Sequence, residues 1–206
     1  HLTEVIKKYA HELIGRQETK ALVESVKETY PALVEELIPS IVGIGDIQKV
    51  LAKLLKEKIS IRDLVTIFET LADYGKFTKD PEVLTEYVRQ SLSRQITQQY
   101  AQPSEPLKVI TVSPTVEKKI ADAVQQSEQG SYLAMDPASS QSIFQKLSEQ
   151  INRLVQSGQQ PIILTSPSIR MYMRQLLERS LHDIPVLSYS ELEPNIEVQS
   201  VGVVNA

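Results

Sequence analysis

The sequence changes character at residues 101–106, and this change constrains what the chain can fold into. The segment reads AQPSEP, with two prolines and no large apolar residue, a composition typical of a linker. Before it, apolar residues recur at three- and four-residue steps, the period of amphipathic helices. After it, short β-rich runs alternate with helical stretches. The pattern predicts an α plus α/β fold: an all-helical subdomain, then a small α/β subdomain with a mostly parallel four-stranded sheet.

The strongest helical signal of the first half is residues 59–74, ISIRDLVTIFETLADY. Its apolar residues fall on one helical face, so we expect the other helices to pack around it. Ser60 is the expected N-cap, with Asp63 completing a capping box, and Gly75 is the expected end. Further helices are expected at residues 3–14, 16–29, 32–38, 46–58 with Asp46 as cap, and 81–100 without a break.

The second half predicts four strands, at residues 107–112, 161–165, 185–189 and 196–204. Helices are expected between them, beginning at Ser113-Pro114, Asp136-Pro137 and Ser166-Pro167, where a capping residue precedes proline. Residues 125–132 are expected to form a polar loop. The last strand follows a short turn at residues 193–195, so we expect it to lie antiparallel at an edge of the sheet.

Composition excludes several classes of protein. The 206 residues include 22 basic and 26 acidic ones, a formal net charge of -4, which argues against a nucleic-acid surface. The absence of cysteine excludes disulfides and thiolate chemistry, and the longest apolar runs are too short to span a bilayer. The chain begins at His1 inside an amphipathic pattern, and we interpret it as a piece of a longer protein.

No motif with catalytic, metal-binding or cofactor-binding spacing is present. His1, His11 and His182 have no ligand spacing. The run Val42–Asp46 has two glycines but lacks the third glycine and the lysine-serine pair of phosphate loops. Ser166 is better explained as a helix cap, and no GxSxG elbow surrounds Ser188. We therefore expect no metal, no cofactor and no enzymatic activity.

Two other classes of function remain open from the residues alone. The helices at 46–58 and 60–74 are joined by a very short turn, as in a winged-helix regulator that binds nucleic acid, with the α/β part as a sensor domain. The exposed face of the second helix, however, offers Arg62 against Asp63, Glu69 and Asp73, which would repel phosphate. A small-molecule enzyme in the α/β half is the other alternative.

Several ungapped blocks resemble the FlhA family of flagellar type III export-gate proteins. They are YPALVEELIP at 30–39, IQKVLAKLLKEKISIRDLVTIFETLADY at 47–74, TKDPEVLTEYVRQSLSRQI at 78–96, PIILTSPSIRMYMRQLLERSL at 161–181 and VLSYSEL at 186–192. The resemblance covers essentially the whole chain and implies the C-terminal part of that family's cytoplasmic domain.

The resemblance implies both a domain plan and a function. Residues 1–15 would be the last helix of a preceding subdomain, 16–101 the helical subdomain, 102–106 a linker and 107–206 the α/β subdomain. The family implies a non-enzymatic docking platform on the cytoplasmic face of the cell membrane, reaching the membrane only through an N-terminal half missing here. Implied partners are export chaperones with their substrates, components of the export ATPase complex, and other copies in a nine-membered ring, with no nucleic acid.

Two candidate partner-binding surfaces follow. The family's chaperone groove lies between the two preceding subdomains, so the resemblance places only its edge here, at His1, Leu2 and Thr3. A second surface is our own hypothesis from the residues. Arg170 and Arg174 lie one helical turn apart beside the strand end that carries Tyr189, and we expect them to form a partner face.

Overall fold

The computed structural model describes residues 10–205, which form two units dividing between Leu92 and Ser93. The predicted division was at 102–106, so residues 93–101, expected in the helical subdomain, lie instead with the α/β unit. The predicted helix at 3–14 falls largely outside the described residues, although Ala10–Leu13 are helical. Within residues 10–205, no helix is both long and apolar enough to cross a membrane.

The first unit is helical, as predicted. Its helices pack around fully buried aliphatic and aromatic side chains, among them Leu37, Ile47, Leu54, Phe68 and Val88. The helices that follow the first described turn are α1 (Arg16–Thr29), α2 (Pro31–Leu37), α3 (Ile44–Lys56), α4 (Leu64–Tyr74) and α5 (Pro81–Ser91).

Helix α4 begins later than predicted. Its N-cap is Asp63, whose carboxylate accepts the Thr66 N–H at 3.2 Å and the Thr66 hydroxyl at 2.7 Å. Ser60, the predicted cap, instead accepts the Arg62 N–H at 3.2 Å in the preceding turn. Serine and aspartate are both favoured N-cap residues, and in the structure Asp63 takes this position. Gly75 ends the helix as predicted.

Two other helix boundaries differ from the prediction for similar reasons. Helix α3 starts at Ile44 with Gly43 as N-cap, and Asp46 lies one turn inside, where its carboxylate accepts the Gly43 N–H at 2.9 Å. The predicted continuous helix at 81–100 breaks at Leu92. Ser91 Oγ there donates to the Tyr87 carbonyl at 3.2 Å, a side-chain bond that weakens and bends helices.

The second unit is a four-stranded sheet with helices. Its strands are all parallel, in the order β5-β4-β1-β6, and a separate hairpin pairs β2 with β3. In chain order the elements are α6 (Ser93–Tyr100), β1 (Leu107–Val112), α7 (Pro114–Asp122), β2 (Val124–Ser127), β3 (Gly130–Leu133), α8 (Pro137–Gln156), β4 (Ile163–Thr165), α9 (Arg170–Leu177), β5 (Val186–Ser188), a 3-10 turn (Tyr189–Glu191) and β6 (Val198–Val204).

The last strand lies at an edge, as predicted, but its predicted antiparallel direction is wrong. Strand β6 runs parallel to β1, with Val198 opposite Leu107 and Val204 opposite Val112. The connection at 189–197 leaves the carboxyl end of β5 and returns to the amino end of the sheet. Nine residues reach up to about 30 Å when extended, which is ample for that return without a helix. The local turn signal gave no information about which strand β6 would join.

Two further predictions in this unit need correction. Residues 125–132, predicted to be loop, form most of the hairpin β2–β3, in which Gln125 lies opposite Tyr132. Helix α9 begins at Arg170 rather than at Ser166-Pro167, because residues 167–169 form a turn first. By contrast, Ser113 and Asp136 cap α7 and α8 as predicted, accepting the amides of Val116 and Ser139.

The core of the α/β unit lies between the sheet and its helices. One cluster of buried side chains joins α7, α8 and α9 to the strands: Ile110, Val116, Ile120, Ile143, Leu147, Ile151, Leu154, Ile163, Met173, Leu177, Val186 and Val204 are among its members. This packing fixes the strand ends that form the candidate site.

Candidate functional site

The carboxyl ends of β1, β4 and β5 lie side by side at one edge of the sheet, because parallel strands all point the same way. Open parallel sheets bind their ligands at this edge. The residues there carry hydroxyls: Ser113 follows β1, Ser166 follows Thr165 of β4, and Tyr189 follows Ser188 of β5. Of the predicted partner face, Tyr189 lies at this edge and Arg170 contacts Glu191 of the turn that follows β5, whereas Arg174 contacts the loop that precedes β5.

Arg170 lies inside the protein. The residue is only 1% exposed, and its Nε is 3.5 Å from the carboxylate of Glu191, which is equally buried. Its Nη1 also donates to the Val186 carbonyl at 2.8 Å. An ion pair taken out of water needs such additional hydrogen bonds to offset the loss of hydration. The guanidinium therefore serves the interior of the unit and is not presented to a partner.

Arg174 is also committed to the protein's own backbone. Its side chain is partly buried, and its guanidinium donates to the Ile184 carbonyl at 2.5 Å and the Leu181 carbonyl at 3.0 Å. These bonds hold the loop between α9 and β5 against the end of α9. Removing the side chain would leave two carbonyls of that loop without a charged donor.

Tyr189 is the exposed member of the predicted face, with 55% of its surface accessible. It opens the 3-10 turn, where Glu191 accepts the Ser188 N–H at 3.3 Å. The far side of the turn is anchored by Thr97 of α6, whose Oγ1 donates to the Glu191 carbonyl at 3.5 Å and accepts the Glu193 N–H at 2.9 Å. Glu191 thus joins the turn to Arg170, and the braced turn presents Tyr189 outward.

The sequence pointed to this region but not to the roles of its residues. It predicted one face of Arg170, Arg174 and Tyr189 with both arginines at the surface, whereas both guanidinium groups are bonded within the protein. It missed Glu191 and Thr97. Glu191 could have been found, because Ser188 and Glu191 form the S-x-x-E spacing of a capping box. Thr97 could not, because its contacts lie more than ninety residues away in the chain. His1, Leu2 and Thr3 lie outside the described residues.

Across residues 10–205, no group of three His, Cys, Asp or Glu side chains could hold a metal ion. His182 is exposed, and its Nε2 lies 3.5 Å from Oδ1 of the neighbouring Asp183, which is also exposed. This imidazole is therefore a surface group beside a carboxylate. The Ser166 N–H is already bonded to Glu117 at 3.0 Å. What this edge offers is a shaped protein surface with one exposed aromatic ring.

The winged-helix alternative can be judged against the helical unit. Lys53 of α3, one of the lysines that could touch a phosphate backbone, lies 2.5 Å from Glu82 and is paired within the unit. Glu69 and Asp73 are exposed on α4, which would have been the recognition helix. An acidic recognition helix is repelled by phosphate.

Comparison with known proteins identifies the family. A model of the FHIPEP family matches residues 1–197. The chain belongs to the FHIPEP family. It is 60% identical over 205 residues to the flagellar biosynthesis protein FlhA of Bacillus subtilis, covering 100% of this chain and 30% of that protein. It is 38% identical over 202 residues to the low calcium response locus protein D of Yersinia pestis, covering 98% and 29%.

Solved structures of relatives have the same fold. The Chlamydia pneumoniae CdsV protein superposes with a TM-score of 0.93 at 34% identity, over 100% of this chain and 59% of that one. The nonameric SctV-C of EPEC gives a TM-score of 0.87 at 34% identity, over 98% and 61%. The resemblance to the FlhA family and the predicted fold class are therefore confirmed.

The chain matches only part of each relative. It spans about 30% of the length of the curated proteins it matches and about 60% of the chains in the similar structures. Activities, partners and assemblies of those longer proteins therefore carry over to this chain only as proposals. The winged-helix alternative gains no support from these similarities.

Proposed function

We propose that this chain is the C-terminal part of the cytoplasmic docking platform of a flagellar type III export gate. The observation that carries the proposal is the 60% identity to FlhA along the entire chain. In this role the protein is non-enzymatic, and it binds export chaperones with their substrates and components of the export ATPase complex. It lies at the cytoplasmic face of the cell membrane, anchored by a part of the protein beyond this chain.

The proposal includes assembly with other copies into a nine-membered ring. Two relatives whose structures match this chain are nonameric, the SctV-C of EPEC and the EscV cytosolic domain from the type III secretion system. Another, the CdsV protein of Chlamydia pneumoniae, is known in a complex with CdsO. These assemblies support a chain that works through protein contacts. The alternation of a helical and an α/β unit supplies distinct surfaces for them.

The site geometry supports Tyr189 as the contact residue of the α/β unit. A tyrosine held on a braced turn offers a large contact area and loses little side-chain freedom when a partner covers it. Arg170 and Arg174 contribute to the proposed partner face indirectly, by holding the turn and the loop in place. We also propose that His1, Leu2 and Thr3 belong to the edge of the chaperone groove.

The function can be tested in the bacterium that carries the gene. Deleting the gene and complementing with the intact protein should restore motility and export of flagellar filament protein. Deleting only the segment that corresponds to residues 93–205 should abolish both, while the truncated protein still reaches the membrane. Normal motility in that strain would refute the proposed function.

The partner face can be tested separately with Tyr189→Ala in the intact protein. We expect it to reduce capture of export partners by at least several-fold, as loss of a contact tyrosine does. Tyr132→Ala is a matched control, because Tyr132 is 48% exposed in the same unit but lies on the hairpin. Charge reversal at Arg170 is not a usable probe, because it would bury an unpaired charge and disturb the fold.

A further inference from the structure

The helical unit carries an aromatic cluster that is partly exposed at its surface. Phe77, in the turn after α4, is 84% exposed. The rings of Tyr74 and Tyr87 stack beside this turn, with centroids 3.9 Å apart and planes 6° from parallel, and Tyr74 is itself 37% exposed. We call Tyr74, Phe77 and Tyr87 the aromatic cluster. Clustered exposed aromatic side chains mark protein contact sites more often than scattered single ones do.

The turn that carries Phe77 is firmly held. The amides of Phe77 and Thr78 both donate to the Tyr74 carbonyl, at 3.0 and 3.2 Å. Lys79 Nζ donates to the carbonyl oxygens of Gly75, at 2.8 Å, and Ile41. Gly75 packs so closely on Ile41 that a Cβ atom there would lie 2.6 Å from its Cγ2. The backbone that carries the exposed ring is therefore preorganised, and a partner would lose little free energy in ordering this turn.

We infer that the aromatic cluster is the contact through which one copy of this chain binds the next copy in the assembly. The inference rests on the ring proposed above. In a cyclic assembly of nine, each copy meets two neighbours through two different faces, so each interface joins unlike surfaces. An exposed Phe on a rigid turn suits one side of such an interface, where it inserts into a pocket of the neighbour.

The reason for choosing a second copy is the assembly state of the relatives. Two structures that cover 98–100% of this chain at 34–35% identity are nonameric, so a surface for self-association is required of the proposed function. Lys76 beside the cluster is already bonded to Glu36 of the same unit at 3.8 Å. The aromatic cluster therefore has a charged pair at its side, in the arrangement of an apolar interface core with a polar rim.

Photocrosslinking from position 77 tests the identity of the occupant. The intact protein is produced in its own bacterium with a photoreactive phenylalanine analogue in place of Phe77. We expect a crosslinked product made of two copies, identified by mass spectrometry of the joined peptides. Products that join position 77 only to other proteins would overturn the inference and assign the aromatic cluster to a different partner.

Substitution tests the energetic role. For the purified intact protein, Phe77→Ala should weaken self-association roughly 30-fold or more, measured by mass photometry across a dilution series. Phe77→Leu should retain part of the affinity, and Tyr132→Ala should match wild type. At a concentration where both proteins are monomeric, the melting temperature of Phe77→Ala should equal that of wild type, because the ring is exposed in the folded unit. Unchanged assembly of Phe77→Ala would overturn the inference.

Failure of the inference about Phe77 can be distinguished from failure of the proposed nine-membered ring. If the ring proposal fails, the wild-type protein stays monomeric at every concentration and the probe at position 77 gives no self-product, which also overturns the inference. If only the inference fails, wild type assembles and Phe77→Ala assembles equally well.

Discussion

The buried pair of Arg170 and Glu191 gives the sharpest test of the site's structure. Both side chains are about 1–2% exposed, and Nε and the carboxylate are 3.5 Å apart. Glu191→Gln keeps an oxygen that can accept the Ser188 N–H but removes the charge. Arg170 is then a buried cation without its anion, which costs about 3–5 kcal/mol of the free energy of unfolding.

The expected loss is large enough to measure in the presence of the other unit. With a urea dependence of about 1–3 kcal/mol per molar, the unfolding midpoint of the α/β unit should fall by about 1–5 M. Because the two units can unfold separately, hydrogen exchange of the β5 amides should be followed together with circular dichroism. The α5 amides provide an internal control, since their exchange should not change.

The double variant Arg170→Met with Glu191→Gln tests the reasoning itself. Removing both charges should recover most of the lost stability, because the penalty comes from an unpaired buried charge and not from loss of the pair's attraction. A Glu191→Gln protein within about 1 kcal/mol of wild type would show that the pair is hydrated in solution. A double variant as unstable as the single one would show that volume, rather than charge, dominates.

Three further predictions concern single positions. Ser188 Oγ is buried without a hydrogen-bond partner among the described residues, so Ser188→Ala should leave the free energy of unfolding unchanged or raise it. Ser113→Ala loses a helix cap and should lower the free energy of unfolding by about 1 kcal/mol. Equal losses for the two variants in urea unfolding would contradict this prediction. Gly75→Ala should lower the free energy of unfolding by about 1–3 kcal/mol, because the new methyl group would overpack against Ile41 and the Leu71 carbonyl. Gly158→Ala has open space around it and should cost only the strain of its left-handed backbone, φ 78°, about 1–2 kcal/mol. A larger loss for Gly158→Ala than for Gly75→Ala would refute this prediction. The hydrogen bond from the Ser139 amide lowers the pKa of the Asp136 carboxyl. The stabilisation by the ionised Asp136 is therefore complete above the unfolded pKa of about 3.9 and is lost as the pH falls through the lower folded pKa. Asp136→Asn should remove this loss of stability at acid pH, as measured by melting curves at a series of pH values.

Helical caps show how far local sequence can be trusted. Ser113 and Asp136 were predicted as N-caps before proline, and each accepts an amide of the first helical turn. Ser166, predicted in the same way, does not begin α9. Where two capping residues compete, as Ser60 and Asp63 do, the local pattern gave the wrong one. The choice depends on which backbone conformation the packed helices permit, and sequence spacing does not contain that information.

The candidate site shows the limit more clearly. Arg170 lies beside the turn that carries Tyr189, and Arg174 contacts the loop that precedes β5. Their roles were not predicted, because the sequence around an arginine does not indicate whether its guanidinium faces water or a buried carboxylate. Only the packing of α9 against the 3-10 turn encloses Arg170 with Glu191.

By itself, the sequence determined the helical and α/β halves, the composition of the sheet and the family, because each depends on periodicity or on long runs of residues. The tertiary structure decided the direction of β6, the unit to which residues 93–100 belong, and the burial of Arg170. These depend on contacts between residues far apart in the chain. A local pattern fixes the conformation of a segment, but its partners are selected by the free energy of the packed whole.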